Sequence, residues 1–266
     1  MNGNAEASAR RIALLLEYDG TAYGGSQYQK NAPTVQGTLE RALSRLTSEP
    51  IRVSMAGRTD AGVHAVGQVA SFKTSSKFTP GKFAGGGNAL LPGDITIRAA
   101  AETPLDFDPR RQAKSRLYRY TIDLRSPRSA LLRNVTWHLR NGVDLQAMEA
   151  AAGSLAGIHD FAAFTPPSVA SRTVTNRCIQ RVEWSTRGGL AFFDIEANAF
   201  LMHMVRRIVG TLVEVGRGRL AVDDFKKLVE QAPPGEGSRT APARGLCLIK
   251  VRYESGLFDD DTNEDI

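Results

Sequence analysis

An α+β fold made of two tandem βαββαβ halves is the class this sequence predicts. Two observations lead to it. Apolar or alternating runs that suit strands are interleaved with runs of 3.6-residue periodicity that suit helices. The order strand, helix, strand, strand, helix, strand is completed once near residue 101 and begins again near residue 116.

The first element is the continuous apolar run at 12–18 (IALLLEY), as a buried strand requires. Pro33-Thr34 then opens a helix whose Val35, Leu39, Ala42, Leu43 and Leu46 share one face. Strands follow near 51–57 and 65–73, then a short helix near 79–90 and a strand near 95–101. In the second half a strand at 116–123 precedes a helix at 144–156, where Leu145, Met148, Ala152 and Leu155 recur at helical spacing. Strands at 177–186 and 190–198 come next; in the latter Phe193, Ile195 and Ala197 alternate with Asp194, Glu196 and Asn198. A helix over 200–215 carries Leu201, Val205, Ile208, Val209 and Leu212 on its apolar side. A helix at 221–231, a Pro/Gly loop at 233–245 and a strand at 246–253 end the pattern. The expected result is one mixed eight-stranded sheet with helices on one face. The expected organisation is a flexible N-terminus over 1–10, halves over 11–105 and 106–254, and an acidic tail over 255–266.

Composition narrows the function classes. The 266 residues are 42% hydrophobic and 23% charged, a balance that suits a globular chain with ample length for a core. No apolar stretch reaches 18 residues and the start (MNGNAEASARR) lacks the core of a signal peptide, so a cytoplasmic protein without a membrane partner is expected. Cys178 and Cys247 are far apart in strand-like runs and read as reduced thiols. Four histidines without Cys-x-x-Cys or His-x-x-x-His spacing give no metal site. Lys and Arg number 34 against 28 Asp and Glu, and five of the acids stand in the last eight residues. Without that tail the body carries 34 cations against 23 anions, +11, which favours a polyanion such as nucleic acid.

The most informative stretch is Ala56-Gly57-Arg58-Thr59-Asp60-Ala61-Gly62-Val63-His64, between two predicted strands. Glycines flank a carboxylate that lies two residues after an arginine. Such a loop is either a turn in which Asp60 caps its own backbone or a mount that presents an oriented carboxylate to a ligand. A second concentration is Arg110, Arg111, Lys114, Arg116 and Arg119, five cations in ten positions. They form either a solvated surface run or a strip that tracks phosphates.

GRTDAGVHAVGQVASF resembles the signature of the TruA-type tRNA pseudouridine synthases. The resemblance extends over Tyr18-Asp19-Gly20-Thr21, Asn88–Asp94 (NALLPGD), and Arg110, Ala113, Arg116, Tyr118 and Tyr120. It continues through Ser171-Arg172-Thr173, Asn198-Ala199-Phe200, His203–Arg206, Val209-Gly210, Gly245-Leu246 and Val251–Tyr253. These blocks run in order from about residue 12 to 253. The resemblance implies the pseudouridine synthase fold, with the open face of the sheet as a floor for RNA. It implies isomerisation of uridine at tRNA positions 38, 39 and 40, with no cofactor or metal and with a homodimer as the working form. It assigns Asp60 as nucleophile, Arg206 as its ion-pair partner and Tyr118 as the ring against the target uracil. It favours an RNA-handling role for Arg58 and makes Leu246 an apolar wall of the pocket; beside that tyrosine, on a basic body, Arg110, Arg111, Lys114 and Arg116 read better as a strip that tracks phosphates. Three routes use an ionised Asp60: addition to C1′, addition to C6, or removal of a proton from C2′.

Two positions depart from the family pattern. Ser26 stands where members commonly have Trp, and Asp108 where they commonly have His. A non-catalytic tRNA-binding or tRNA-folding protein on the same scaffold is the competing reading, and it has no need of the set Asp60, Tyr118 and Arg206. A phosphoryl-transfer enzyme would need a Gly-Lys-Ser/Thr cradle, and a dehydrogenase a Gly-x-Gly-x-x-Gly after a strand; the sequence has no convincing example of either.

Overall fold

The computed structural model of the chain describes residues 9–140, 142–231, 234–237 and 240–258. The predicted flexible N-terminus, apart from its last two residues, lies outside the described residues, and so does the acidic run Asp259–Asp265. The chain divides into two compact units. One runs to Lys114 and takes in the chain from Leu248; the other is Ser115–Cys247.

The first unit begins with β1 (Arg10–Tyr18), α1 (Val35–Thr47), β2 (Val53–Met55), β3 (His64–Thr74), α2 (Pro80–Asn88) and β4 (Ile95–Thr103), in the predicted order. β1 is the middle strand, antiparallel to β3 on one side and to β4 on the other. Ile12, Leu14 and Leu16 point to one face and meet Leu39 and Leu43 of α1, Phe72 of β3, Phe83 of α2 and Ile97 of β4. Each such side chain, when fully buried, contributes about 1.5–3 kcal/mol. Ala13 and Leu15 on the other face are buried as well, so the run is apolar throughout instead of alternating.

Polar side chains fix the ends of these elements. Thr34 caps α1, accepting from the Gly37 N–H at 3.2 Å, and Thr79 caps α2 in the same way. Glu40 is buried on α1 but satisfied: it accepts from the Val53 N–H, from Gln36 and from Arg52. Asn88, at the end of α2, accepts from the Ile97 N–H (2.7 Å) and donates to the Ile97 carbonyl (2.9 Å). Asp94 accepts from the Tyr23 hydroxyl at 2.7 Å, and its carbonyl accepts from the Asp19 N–H. The NALLPGD block therefore holds β4 and the first loop in place.

The second unit comprises β5 (Ala113–Asp123), β6 (Trp137–His138), α3 (Leu145–Ala152), β7 (Gly157–Asp160), the single turn α4 (Pro167–Ala170), β8 (Asn176–Arg187), β9 (Leu190–Ala197), α5 (Met204–Gly216) and α6 (Val222–Gln231). Its strands lie in the order β5-β9-β8-β7, all antiparallel, and β6 adds in parallel to the end of β5. The architecture is α+β, with mixed but largely antiparallel pairing. Met148, Ala152, Ile208, Val209, Leu212, Phe225 and Val229 on the helices are buried together with Phe161 and Phe164. The predicted helix over 200–215 starts four residues late. His203 takes φ 61°, a left-handed conformation outside the helix, and α5 begins after it.

The last strand, β10, is Leu246–Tyr253. The described residues thus hold ten strands, two more than expected, because β6 and β7 are too short to show a period. From Leu248 on, β10 falls with the first unit, whereas the sequence reading placed it with the second half. Long-range contacts account for this. The Tyr253 hydroxyl donates to the Pro109 carbonyl (2.7 Å), the Tyr253 ring packs on Phe107, and Gly67 of β3 comes so near the Ile249 carbonyl that no Cβ fits.

Candidate active site

Asp60 stands in the loop that joins β2 to β3, and the loop is held by buried polar groups. Its start is a continuation of the strand, with the Ala56 N–H donating to the Val69 carbonyl. Gln68 of β3, fully buried, accepts from the Gly57 N–H (3.2 Å) and donates to the Gly57 carbonyl (2.9 Å). The Thr59 hydroxyl shares a 2.8 Å hydrogen bond with the Tyr18 hydroxyl. Ser26 takes both backbone groups of Thr59: its Oγ accepts from the Thr59 N–H (2.8 Å), and its N–H donates to the Thr59 carbonyl (3.0 Å). After Asp60 the chain turns at once, the Val63 N–H donating to the Asp60 carbonyl with Gly62 at φ 77°, which a β-carbon would strain. Asp60 itself is half-buried. This is more order than a loose Asp-Gly turn needs.

A second layer supports the loop from Asp19-Gly20. Gly20 packs on Val63 with no space for a side chain, and its N–H donates to His64 Nδ1 at 3.2 Å. The same nitrogen lies 3.1 Å from an Asp19 carboxylate oxygen. Burial alone would push the Asp19 carboxyl up, but hydrogen bonds from the Thr21 N–H and hydroxyl, with the His64 ring facing it, outweigh burial and hold the carboxyl below its usual range.

In the second unit Tyr118 lies on β5, 7% exposed, opposite Ile195 of β9. Its ring meets Phe200 edge-on, with centroids 5.2 Å apart. Phe200 is placed by Asn198, whose side-chain oxygen accepts from the Cys178 and Ala199 N–H groups. Arg116 donates to the Asn198 carbonyl at 2.8 Å. Arg206 is half-buried in the first turn of α5. It donates from Nε to the Ala241 carbonyl, and its own carbonyl accepts from the Ala241 N–H, so its guanidinium stem is fixed. Tyr120, fully buried, donates to the Pro242 carbonyl, and burial pushes its hydroxyl well above the usual tyrosine range while Arg206 and Arg244 pull the other way. A Cβ on Gly245 would strike the Tyr120 ring, which explains a glycine just before Leu246. Leu246 is buried at the start of β10.

The cationic run does not form one strip. Arg110 and Arg111 are exposed, and their N–H groups both donate to Asp108 Oδ1 at 2.9 Å. Asp108 is therefore a backbone cap in this chain. Lys114 is exposed and pairs with Glu254 at 2.8 Å. Arg116 is only 8% exposed, and Arg119 forms a two-pronged pair with Asp194, its direct cross-strand neighbour, at 2.7 and 2.8 Å. Strand pairing, invisible in the spacing of charges, gives these two their partners at Asn198 and Asp194. Arg58 is exposed. Among the described residues no group of three or more His, Cys, Asp or Glu could hold a metal ion, and no helix is long and apolar enough to cross a membrane.

The sequence reading missed Gln68, Tyr18 and Ser26 as supports of Asp60. Gln68 carried a signal, an amide inside an otherwise apolar strand, which must find partners when buried. Ser26 carried none.

Three relatives are all named tRNA pseudouridine synthase A. The one from Geotalea uraniireducens (strain Rf4) is 45% identical over 244 residues, which is 92% of this chain and 100% of the relative. That from Geobacter sulfurreducens is 46% identical over the same shares of both chains. That from Chloroflexus aurantiacus (strain J-10-fl) is 48% identical over 253 residues, 94% of this chain and 91% of the relative. The family model described as tRNA pseudouridine synthase matches residues 15–110 and 151–254, and takes in Asp60, Arg206 and Leu246. The chain belongs to the tRNA pseudouridine synthase family.

Proposed function

We propose that this protein isomerises uridine to pseudouridine in tRNA, at positions 38, 39 and 40 of the anticodon stem-loop, as a cytoplasmic homodimer. The observation that carries the reading is the Asp60 loop, in which a half-buried carboxylate is mounted on Gln68, Tyr18 and Ser26 within the GRTDAGVH block. The reaction breaks the C1′–N1 bond of the nucleotide and forms a C1′–C5 bond. N1 gains a proton and C5 loses one to solvent, so no electrons are exchanged with a cofactor. Asp60 acts ionised, as the nucleophile. The resemblance assigns Arg206 as the cation that keeps it so and Tyr118 as the ring stacked on the extruded uracil, which replaces part of the stacking lost on flipping. Arg58, Arg110, Arg111 and Lys114, all exposed, contact the RNA backbone. Leu246 walls the pocket. Arg116, which also donates to the Asn198 carbonyl, completes the RNA-handling set.

The test is release of tritium from C5-labelled uridine in an unmodified tRNA transcript. The parent should release label at those three positions and Asp60→Ala none. If neither releases label while both bind the transcript, the protein is a tRNA-binding protein and the reading fails.

A further inference from the structure

We propose that Ser26 is a positioning residue for Asp60, setting the orientation of the catalytic carboxylate through the peptide that precedes it. The inference rests on the reading of Asp60 as the nucleophile. The peptide between Thr59 and Asp60 contributes the Thr59 carbonyl, and that carbonyl accepts from the Ser26 N–H at 3.0 Å. The Thr59 N–H goes to Ser26 Oγ at 2.8 Å. One residue therefore clasps both backbone groups immediately before Asp60, while the Val63 N–H holds the Asp60 carbonyl on the other side.

The clasp has its own anchor. The Ser26 carbonyl accepts from the Gln36 N–H at 3.0 Å, in the first turn of α1, where an unpaired donor is available. Gly25, at φ 107°, brings Ser26 up to the loop; a Cβ there would lie 2.9 Å from the Thr59 carbonyl oxygen. Ser26 is 1% exposed and Thr59 7%, so water does not readily replace the serine oxygen. Orientation is thus passed from the rigid end of a helix, through the backbone N–H and the hydroxyl of one serine, to the two peptides that precede the carboxylate.

A displacement near 1 Å at a reacting group costs on the order of a hundredfold in rate, while substrate contacts elsewhere are unchanged. Ser26→Ala removes only the Oγ and keeps the backbone bonds. Its kcat for tritium release should fall about 10- to 100-fold, with KM for the tRNA transcript within about threefold of the parent. Ser26→Thr retains the oxygen and should recover most of the lost kcat. In Ser26→Ala the Thr59 amide should also exchange with solvent faster than in the parent. Parent-like kcat in folded Ser26→Ala overturns the proposal. So does a loss that Ser26→Thr does not restore, or one that follows the folded fraction measured by circular dichroism. Absence of release from the parent itself would overturn the proposed function, a result separable from any difference between parent and variant.

Discussion

Replacing Gln68 by methionine tests whether the Asp60 loop is built or merely closed. Methionine keeps the length and volume of the side chain but removes both hydrogen-bonding groups. In the parent those groups serve the Gly57 N–H at 3.2 Å and the Gly57 carbonyl at 2.9 Å, with a longer contact to the Tyr18 hydroxyl at 3.4 Å. A buried polar group left without a partner costs about 1–3 kcal/mol. Two such groups give about 2–6 kcal/mol, and because Gly57 is half-buried water recovers part of it, leaving about 2–3 kcal/mol. Urea unfolding followed by circular dichroism measures the loss. Amide exchange at Gly57 and tritium release report the local effect: both should change, exchange upward and release downward, at denaturant concentrations where the protein is folded. A stability change under about 0.5 kcal/mol, typical of a neutral surface substitution, with unchanged Gly57 exchange would refute the reasoning.

Two further outcomes follow from the charges. Arg119→Met leaves Asp194 buried without its two-pronged partner and should cost about 3 kcal/mol, the low end for a broken buried pair, because Arg181 stands 4.0 Å away; Arg119→Met with Asp194→Leu should recover much of that loss, as urea midpoints would show. Asp123 accepts from Arg125 at 2.8 and 3.1 Å, which outweighs the opposing effect of burial and holds its carboxyl at about 2. A carboxyl depressed on folding stabilises fully above about pH 4, and the contribution is lost as pH falls through about 2. The shift corresponds to at most about 2 kcal/mol, reduced by solvent screening at the partly exposed Arg125, and Asp123→Asn should flatten the unfolding free energy over that interval.

The legible parts were those in which neighbours along the chain decide the outcome. The run Ile12–Leu16 announced a buried strand, Thr34 announced the start of α1, and alternation from Phe193 to Ala197 announced β9. Family membership was legible for a different reason: the Asp60 block and others along nearly the whole chain resemble a known family, to which the chain belongs. The short strands β6 and β7 left no period to read, and the start of α5 depended on the left-handed His203, which its residue type does not announce.

By itself the sequence determined the α+β class, the order of the principal elements, the basic body and the family, because each is written in residue type and local spacing. Only the tertiary structure decided which partners the charges take and what holds the Asp60 loop. Arg119 is taken up by Asp194, 75 residues away, and Thr59 by Ser26, 33 residues earlier. Such partners meet only after strands have paired and loops have closed, so their chemistry is a property of the fold and not of any segment within it.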